Sequence, residues 1–320
     1  MSAKTTQKGQ KRQTNGKTTI RERLQKAIRR LVLLSIVSLV IVSMIMNLSG
    51  TLSRLKADMQ EIAKLSADRI RQELTVSETI VSELGCSYQL SAAVFTPAQK
   101  YINQRVEVYG MVRGKLIGSN GICAADGTDY NDREYFKRSM QGEVVVSDPV
   151  IAKTDGKLSV IISAPVYEGG DKDGEIIGVV FVVPDPEFLN DICAAISISE
   201  HSGCYLLGST GITIAHSDST IAQEQKNNIE LSQTDSSLKG IAKIEQQMLK
   251  GETGYGTYFR KGAYTLQAYA PIDGTDGWMV AVDAPVTDFL GSVVTGIIIG
   301  AAIGVIAVAY SIYKAKQIGQ

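Results

Sequence analysis

Residues 126–140 read DGTDYNDREYFKRSM. Four acidic residues, three basic residues, two tyrosines and a phenylalanine share these fifteen positions. The stretch is too polar for a core and too aromatic for a plain solvated loop. Arg133 stands one residue ahead of the pair Tyr135 and Phe136. A guanidinium is a planar fork that matches a carboxylate with two parallel hydrogen bonds. Aromatic walls exclude water and strengthen such a contact. A cation in this setting suits an anionic partner group. The competing reading is structural, with Arg133 paired to Asp132 or Asp148 and the rings capping a module.

Other chemistry is sparse. No G-x-S-x-G, P-loop, H-E-x-x-H or C-x-x-C motif occurs. GSTG at 208–211 reads as a turn between strands. The only histidines are His201 and His216. His216 with Asp218 makes a poor metal site for want of further ligands, and a solvated loop is expected there. Asp132 and Glu134 could do acid–base work, but nothing in the sequence fixes their geometry. The expectation is a chain that is not an enzyme and needs no cofactor and no metal. The four cysteines, Cys86, Cys123, Cys193 and Cys204, fit no zinc spacing. They read mostly as small buried residues, with Cys193 and Cys204 as a candidate pair.

The elements that must position these residues begin with two apolar runs. Residues 31–48 carry no charge, and neither do the 25 residues 289–313. Each is long enough to cross a bilayer as one helix. Ten Lys/Arg and one acid precede the first run, and Lys314 and Lys316 follow the second. Both ends are therefore expected in the cytoplasm. The basic tail adjoins a membrane span, so topology and anionic lipid explain it better than nucleic acid. The segment between the spans holds 21 of the 33 basic and 32 of the 33 acidic residues, a net charge near −11. The whole-chain balance of zero hides this division. The first run exceeds a signal-peptide core and no A-x-A site follows it, so an uncleaved anchor is expected. Gly296, Gly300 and Gly304 put a small-residue stripe on the second span, expected to pack on the first span or its symmetry mate in a homodimer.

Between the spans, Leu52, Leu55, Met59, Ile62, Ser66, Ile70, Leu74, Ser77, Ile80 and Leu84 recur every three or four residues. They predict one long helix running out of the membrane. A short helix from Pro97 follows. Then come the β-rich runs VEVYGMV, KLIGSNGICAA, GEVVVSDPVI, KLSVIISAPVY and EIIGVVFVV, and the helix DPEFLNDICAAI. A second series reads GCYLLGS, GITIAHS, GYGTYFR, AYTLQAYAPI and GWMVAVDAP, with the amphipathic helix SSLKGIAKIEQQMLKG inside it. SAPVYEGGDKDGEIIGVVFVVPDPEFL and AYAPIDGTDGWMVAVDAPVTDFL echo one another as Ala-Pro, turn, apolar strand, break and helix start. Two copies of one α/β module with antiparallel sheets are the economical reading.

These residues resemble the double Cache sensing domain of bacterial transmembrane receptors over about 52–289. YNDREYF, SDPVIAKTDGKLSVIISAPV, GEIIGVVFV, GCYLLGSTGITIAHSD, GETGYGTY and LQAYAPIDGTDGWMVAV carry the resemblance by their order. It implies an α+β fold of a long N-terminal helix and two stacked PAS-like modules between two transmembrane helices. The expected layout is a cytoplasmic tail at 1–30, a span at 31–48 and a sensing domain at 49–288. Within that domain come the helix at 49–90, a membrane-distal module at 91–190 and a membrane-proximal module at 191–288. A second span at 289–313 and a stub at 314–320 follow. The tail YSIYKAKQIGQ resembles the approach to a HAMP linker, so the chain reads as the sensing half of a methyl-accepting chemotaxis receptor. Cytoplasmic signalling partners would act through a region that is missing. Input to a diguanylate cyclase or a histidine kinase is the runner-up.

The resemblance further implies that a small molecule binds in the distal module, with Arg133 on a ligand carboxylate beside Tyr135 and Phe136. Tyr130, Asp132 and Asp148 complete the candidate set. Relatives that bind amino acids hold the ligand ammonium with a Tyr and two Asp, at positions that align here with Val150, Ala152 and Val183. These offer no side-chain acceptor, so a carboxylate without an ammonium fits better. Two other classes remain in view: an ectoenzyme, disfavoured for want of a catalytic constellation, and a structural surface protein. The latter needs neither a charged aromatic motif nor a second span.

Overall fold

Helix α1 (Ile20–Gly85) forms where the sequence runs without proline, and it has no interior break. The computed structural model describes residues 20–91, 95–123, 125–224, 226–260 and 262–317, so most of the basic tail and the tip of the stub lie outside it. The chain divides into two bodies, residues 52–290 and the segments on either side.

In the first body, α1 buries Leu55, Met59, Ala63, Ile70, Leu74, Val81 and Leu84 in one apolar cluster. Val81 takes the place expected for Ile80. Gly85 is the last residue of the helix, and the close approach of β5 there admits only glycine. A Cβ there would stand 2.0 Å from the carbonyl oxygen of Pro165, closer than any real contact. The helix stops short of 90, and α2 (Tyr88–Ser91) and α3 (Phe95–Val108) follow.

The chain then runs β1 (Arg113–Gly118), α4 (Glu134–Ser139), β2 (Val145–Val146), β3 (Val150–Ile151), β4 (Leu158–Ser159), β5 (Ile162–Tyr167), β6 (Ile176–Val183) and α5 (Pro186–Ala195). It continues through β7 (Gly203–Leu207), β8 (Thr213–His216), α6 (Ser219–Gln223), α7 (Asn228–Leu231), α8 (Lys239–Met248), β9 (Gly254–Arg260), β10 (Ala263–Pro271) and β11 (Met279–Pro285). A short 3-10 turn, Val286–Phe289, leads to α9 (Gly291–Gln317).

Two antiparallel sheets result, ordered β1-β6-β5-β2 and β8-β7-β11-β10-β9, with β3 and β4 as a separate hairpin. The internal echo is the pair of hairpins β5–β6 and β10–β11. Strand alternation gives each sheet two apolar faces. Val180, Val182, Leu206 and Leu266 join the cluster that α1 covers. Phe181 and Val183 face a second cluster, while Tyr205, Leu207 and Tyr269 face a third.

VEVYGMV, expected as a strand, is the end of α3 and a turn. Ile102 and Val106, one helical turn apart, both pack over Gly114, where a Cβ would meet their methyls at 2.7 and 2.9 Å. That stripe holds the segment helical, against the β propensity of its valines. His216 is in β8, its ring stacked on Tyr205 at 6.0 Å, rather than in a solvated loop. All four cysteines are free thiols. Cys193 and Cys204 are fully buried, and a hydrogen bond between them, together with burial, pushes the Cys204 thiol up.

Among the described residues, two helices are long and apolar enough to cross a membrane, and their apolar stretches lie in the second body. Nothing in the most apolar stretch of the first is buried, and Leu31, Leu34, Leu39 and Met46 are all more than 60 % exposed. The stripe Gly296, Gly300 and Gly304 does face the first apolar segment, with Ile36, Val40 and Ser43 across a cavity of about 350 Å³. Contact is loose rather than close. A Cβ on Gly296 or Gly300 would meet nothing within 4 Å, and one on Gly304 would reach Ile36 at 3.5 Å.

Candidate ligand-binding site

The YNDR turn is locked by its own polar groups. The Asp129 carboxylate accepts from the backbone N–H of Asn131 at 2.8 Å and from its side-chain amide at 2.9 Å. That amide also reaches the Asn120 carbonyl at 2.9 Å. Asn131 fills the space beside Gly121, whose φ of +77° few other residues adopt. The Tyr130 N–H donates to the Gly121 carbonyl at 2.8 Å, and the Arg133 N–H to the Tyr130 carbonyl at 2.9 Å.

This turn sends Tyr130 inward. Its ring is 3 % exposed and lies 5.6 Å from Phe181 of β6, and Tyr135 of α4 lies 5.9 Å from the same ring. Burial pushes the Tyr130 hydroxyl up to about 12, so it stays a neutral donor. Arg133 is the N-cap residue of α4 in extended conformation, and its guanidinium points at the β3–β4 hairpin. Nη2 donates to the Ile151 carbonyl at 2.8 Å, and Nε lies 3.8 Å from the Asp132 carboxylate.

Arg133, Tyr130, Tyr135, Val150, Ile151, Ala152, Ile161 and Phe181 surround a cavity of about 10 Å³. That is room for little more than one water. Two cations that sequence reading passed over join the rim. Lys153 donates to the Asp129 carbonyl at 2.7 Å and to the Asp132 carboxylate, and sits 5.7 Å over the Tyr130 ring. Its hydrogen bond holds Asp132 below the usual carboxylate range. Arg113, from β1, pairs with Asp155 at 2.6 Å. Arg133 is thus one of three cations here. The signal for Lys153 lay in AKTDGK, a turn sequence that folds back over the YNDR loop.

Of the residues expected at the site, Tyr130, Arg133 and Tyr135 come together and Asp132 stands at the rim. Phe136 packs in the same apolar cluster but does not line the cavity. Asp148 is elsewhere. It accepts from the Trp278 indole N–H at 2.6 Å and from the Ser209 hydroxyl. Trp278 is fully buried and needs an acceptor, so this carboxylate joins the two sheets instead of facing the cavity. Val150 and Ala152 do line the cavity, whereas Val183 pairs across the ladder from Arg113. The arrangement sets three cations beside aromatic walls. It sets no nucleophile against a base, and no metal-like cluster of acidic, His or Cys groups occurs among the described residues.

Comparison with solved structures finds this fold in sensory domains. The extracellular domain of the putative histidine kinase rpHK1S-Z16 superposes with a TM-score of 0.56 at 14 % identity, covering 75 % of this chain and 98 % of that one. The ligand-binding domain of the Pseudomonas fluorescens chemoreceptor CtaA, in complex with L-isoleucine, gives 0.57 at 14 % identity, over 76 % and 98 %. The sensory domain of the Campylobacter jejuni chemoreceptor Tlp3 with isoleucine bound gives 0.54 at 10 % identity, over 75 % and 96 %. No curated protein sequence matches the chain. Residues 16–293 match the sequence profile of the Cache domain, and the long helix with its two antiparallel sheets agrees with that profile: the chain belongs to the Cache-domain family.

Proposed function

We propose that this protein is a small-ligand sensor of a transmembrane chemoreceptor of the methyl-accepting chemotaxis type. It binds a small carboxylate-bearing ligand at the Arg133 cavity, outside the cytoplasm, and transmits occupancy through the second apolar helix. The observation that carries the reading is the state of Arg133. Its guanidinium meets one backbone carbonyl and one distant carboxylate while aromatic rings wall the adjoining space. A ligand carboxylate would supply the bidentate partner this fork lacks. The ligands named for the solved relatives, isoleucine with Tlp3 and with CtaA, are small carboxylates and support that class. The apolar side chains at Val150 and Ala152 favour an organic acid over an amino acid, since they offer an ammonium no acceptor.

The cavity as it stands is too small for such a ligand, so binding requires the β3–β4 hairpin to lift from Arg133. Two spans, cytoplasmic ends and a homodimeric receptor complete the reading. A histidine kinase output is the second reading, favoured by the extracellular domain of rpHK1S-Z16 among the structural relatives. Titration calorimetry of residues 52–290 against amino acids, organic acids and uncharged metabolites tests the ligand class. Organic acids should bind best, and an uncharged best ligand would refute it.

A further inference from the structure

In the four-stranded sheet, the face turned away from α1 carries the Arg133 cavity. The matching face of the five-stranded sheet packs an apolar cluster under α8, with a small group of buried polar side chains around Tyr205 within it. Glu245 of α8 and Gln267 of β10 are both fully buried. The Tyr205 hydroxyl of β7 donates to Glu245 Oε1 at 3.2 Å and accepts from the Gln267 amide at 2.9 Å. Asn228 of α7 also donates to Glu245 Oε1, at 2.7 Å. The Gln267 amide makes a further contact with Met248 Sδ at 3.3 Å. Two acceptors are left without a donor from the protein, Glu245 Oε2 and Gln267 Oε1.

A buried carboxylate with no donor on one oxygen is strongly disfavoured, and a neutral acid avoids that cost. The groups packed around it offer no full compensation. Tyr205 carries the ring stack of His216, and burial drives that imidazole toward its neutral form. Tyr258 of β9 donates its hydroxyl to Asp283 at 2.6 Å, placing a second acid behind the cluster. Among the described residues, Arg260, also on β9, is the one cation that acts on Glu245 through space, and it is exposed at the strand end.

We infer that Glu245 is a proton-binding site, a second input to this sensing domain that answers to pH rather than to the ligand at Arg133. Protonation turns Oε2 into a donor and removes the buried charge. Tyr205 lies opposite Ala281 in the β7–β11 ladder, and β11 continues through Val286–Phe289 into α9. A charge appearing at Glu245 therefore perturbs the strand that leads into the second apolar helix.

Burial pushes the Glu245 carboxyl up to about 7, against hydrogen bonds from Asn228 and Tyr205 that pull it down. The folded chain then binds this proton more tightly than the unfolded chain does. The extra stability is fully present below about pH 4.5 and is lost as pH rises through about 7.

The test is infrared difference spectroscopy of the full chain in lipid nanodiscs, titrated from about pH 5 to 9 to bracket that midpoint. The wild type should show a protonated-carboxyl C=O band that disappears with a midpoint near neutrality. Glu245→Gln should lack the band, and His216→Gln should keep it. Thermal unfolding of the same proteins gives the second measurement. The wild-type midpoint should fall across this range relative to Glu245→Gln, whose neutral amide has nothing to lose. A band that survives in Glu245→Gln, no titrating carboxyl band at all, or parallel unfolding profiles would overturn the assignment. None of these readouts depends on the Arg133 ligand.

Discussion

Arg133 shows how little a residue's identity says without its partners. What decides its role is that one of its donors is spent on the Ile151 carbonyl and that its nearest carboxylate stands 3.8 Å away. Arg133→Ala should weaken binding of the best organic acid by about 2–5 kcal/mol, because truncation leaves a desolvated ligand carboxylate unpaired. Arg133→Lys should also bind poorly, since a point charge cannot reproduce the fork. Calorimetry on each variant reads the loss, and circular dichroism checks that the domain stays folded. Equal binding by Arg133→Ala and the parent would reduce Arg133 to a surface cation. Lys153→Ala is expected to act differently. It releases Asp132 and the YNDR turn, so the loss should be smaller and should appear as a looser hairpin.

Among the elements, α1 is the spine of the sensing body, and the residue at its end is set by a contact. Gly85 touches the Pro165 carbonyl of β5, where no Cβ fits. Gly85→Ala should destabilise the domain by about 1–3 kcal/mol, the usual range for overpacking, read as a lower denaturant midpoint with an unchanged slope. Gly50→Ala in the full chain, on the same helix but outside residues 52–290 and with open space around it, is the control and should be neutral or slightly stabilising. An equal response of the two would mean the Pro165 contact is relaxed in solution. The β3–β4 hairpin is the opposite kind of element, two residues per strand and tied to the rest of the module by side-chain bonds. A weakly held element over a small cavity is the one able to move for a ligand.

At the scale of the whole molecule, the question is how a ligand at one sheet is felt at the other. Asp148 sits two residues before β3, and its carboxylate holds Trp278 and Ser209 of the five-stranded module. Arg138 of α4 pairs with Asp276 at 2.7 Å and adds a second link. A hairpin that lifts for a ligand pulls directly on Asp148. Trp278 is the only tryptophan in the chain, so its fluorescence reports this joint alone. Ligand titration should shift its emission in the parent, and Asp148→Ala should bind the ligand but lose the shift. An unchanged shift in Asp148→Ala would place the coupling elsewhere. The charge division of the chain makes a further prediction at this scale. Reporter fusions at Gly16 and Gln320 should read cytoplasmic and one at Gly170 should read outside. A fusion at Gln320 reading outside would sink the two-span topology.

The amino-acid sequence by itself determined the periodic features. The long helix, α5, α8, the β5–β6 and β10–β11 hairpins and the two charge-free runs follow from spacing, turn residues and length, which are local properties. It also picked out Tyr130, Arg133 and Tyr135, because a cation among aromatic residues is conspicuous in a polar stretch. The tertiary structure decided everything that depends on which groups meet across the fold. Asp148, adjacent in sequence to a cavity strand, turns to a buried indole that needs its oxygen. Lys153 and Arg113, 20 residues to either side of Arg133 in the chain, arrive at its rim through strand pairing. VEVYGMV reads as a strand by propensity, but its first three residues end α3, where Ile102 and Val106 pack on Gly114, and the rest is a turn. Glu245 reads as one polar residue on an amphipathic helix. Only the closure of α8 over β7, β9 and β10 strips it of water and leaves it with one oxygen unpaired, because burial is a property of the assembled core and not of any stretch of chain.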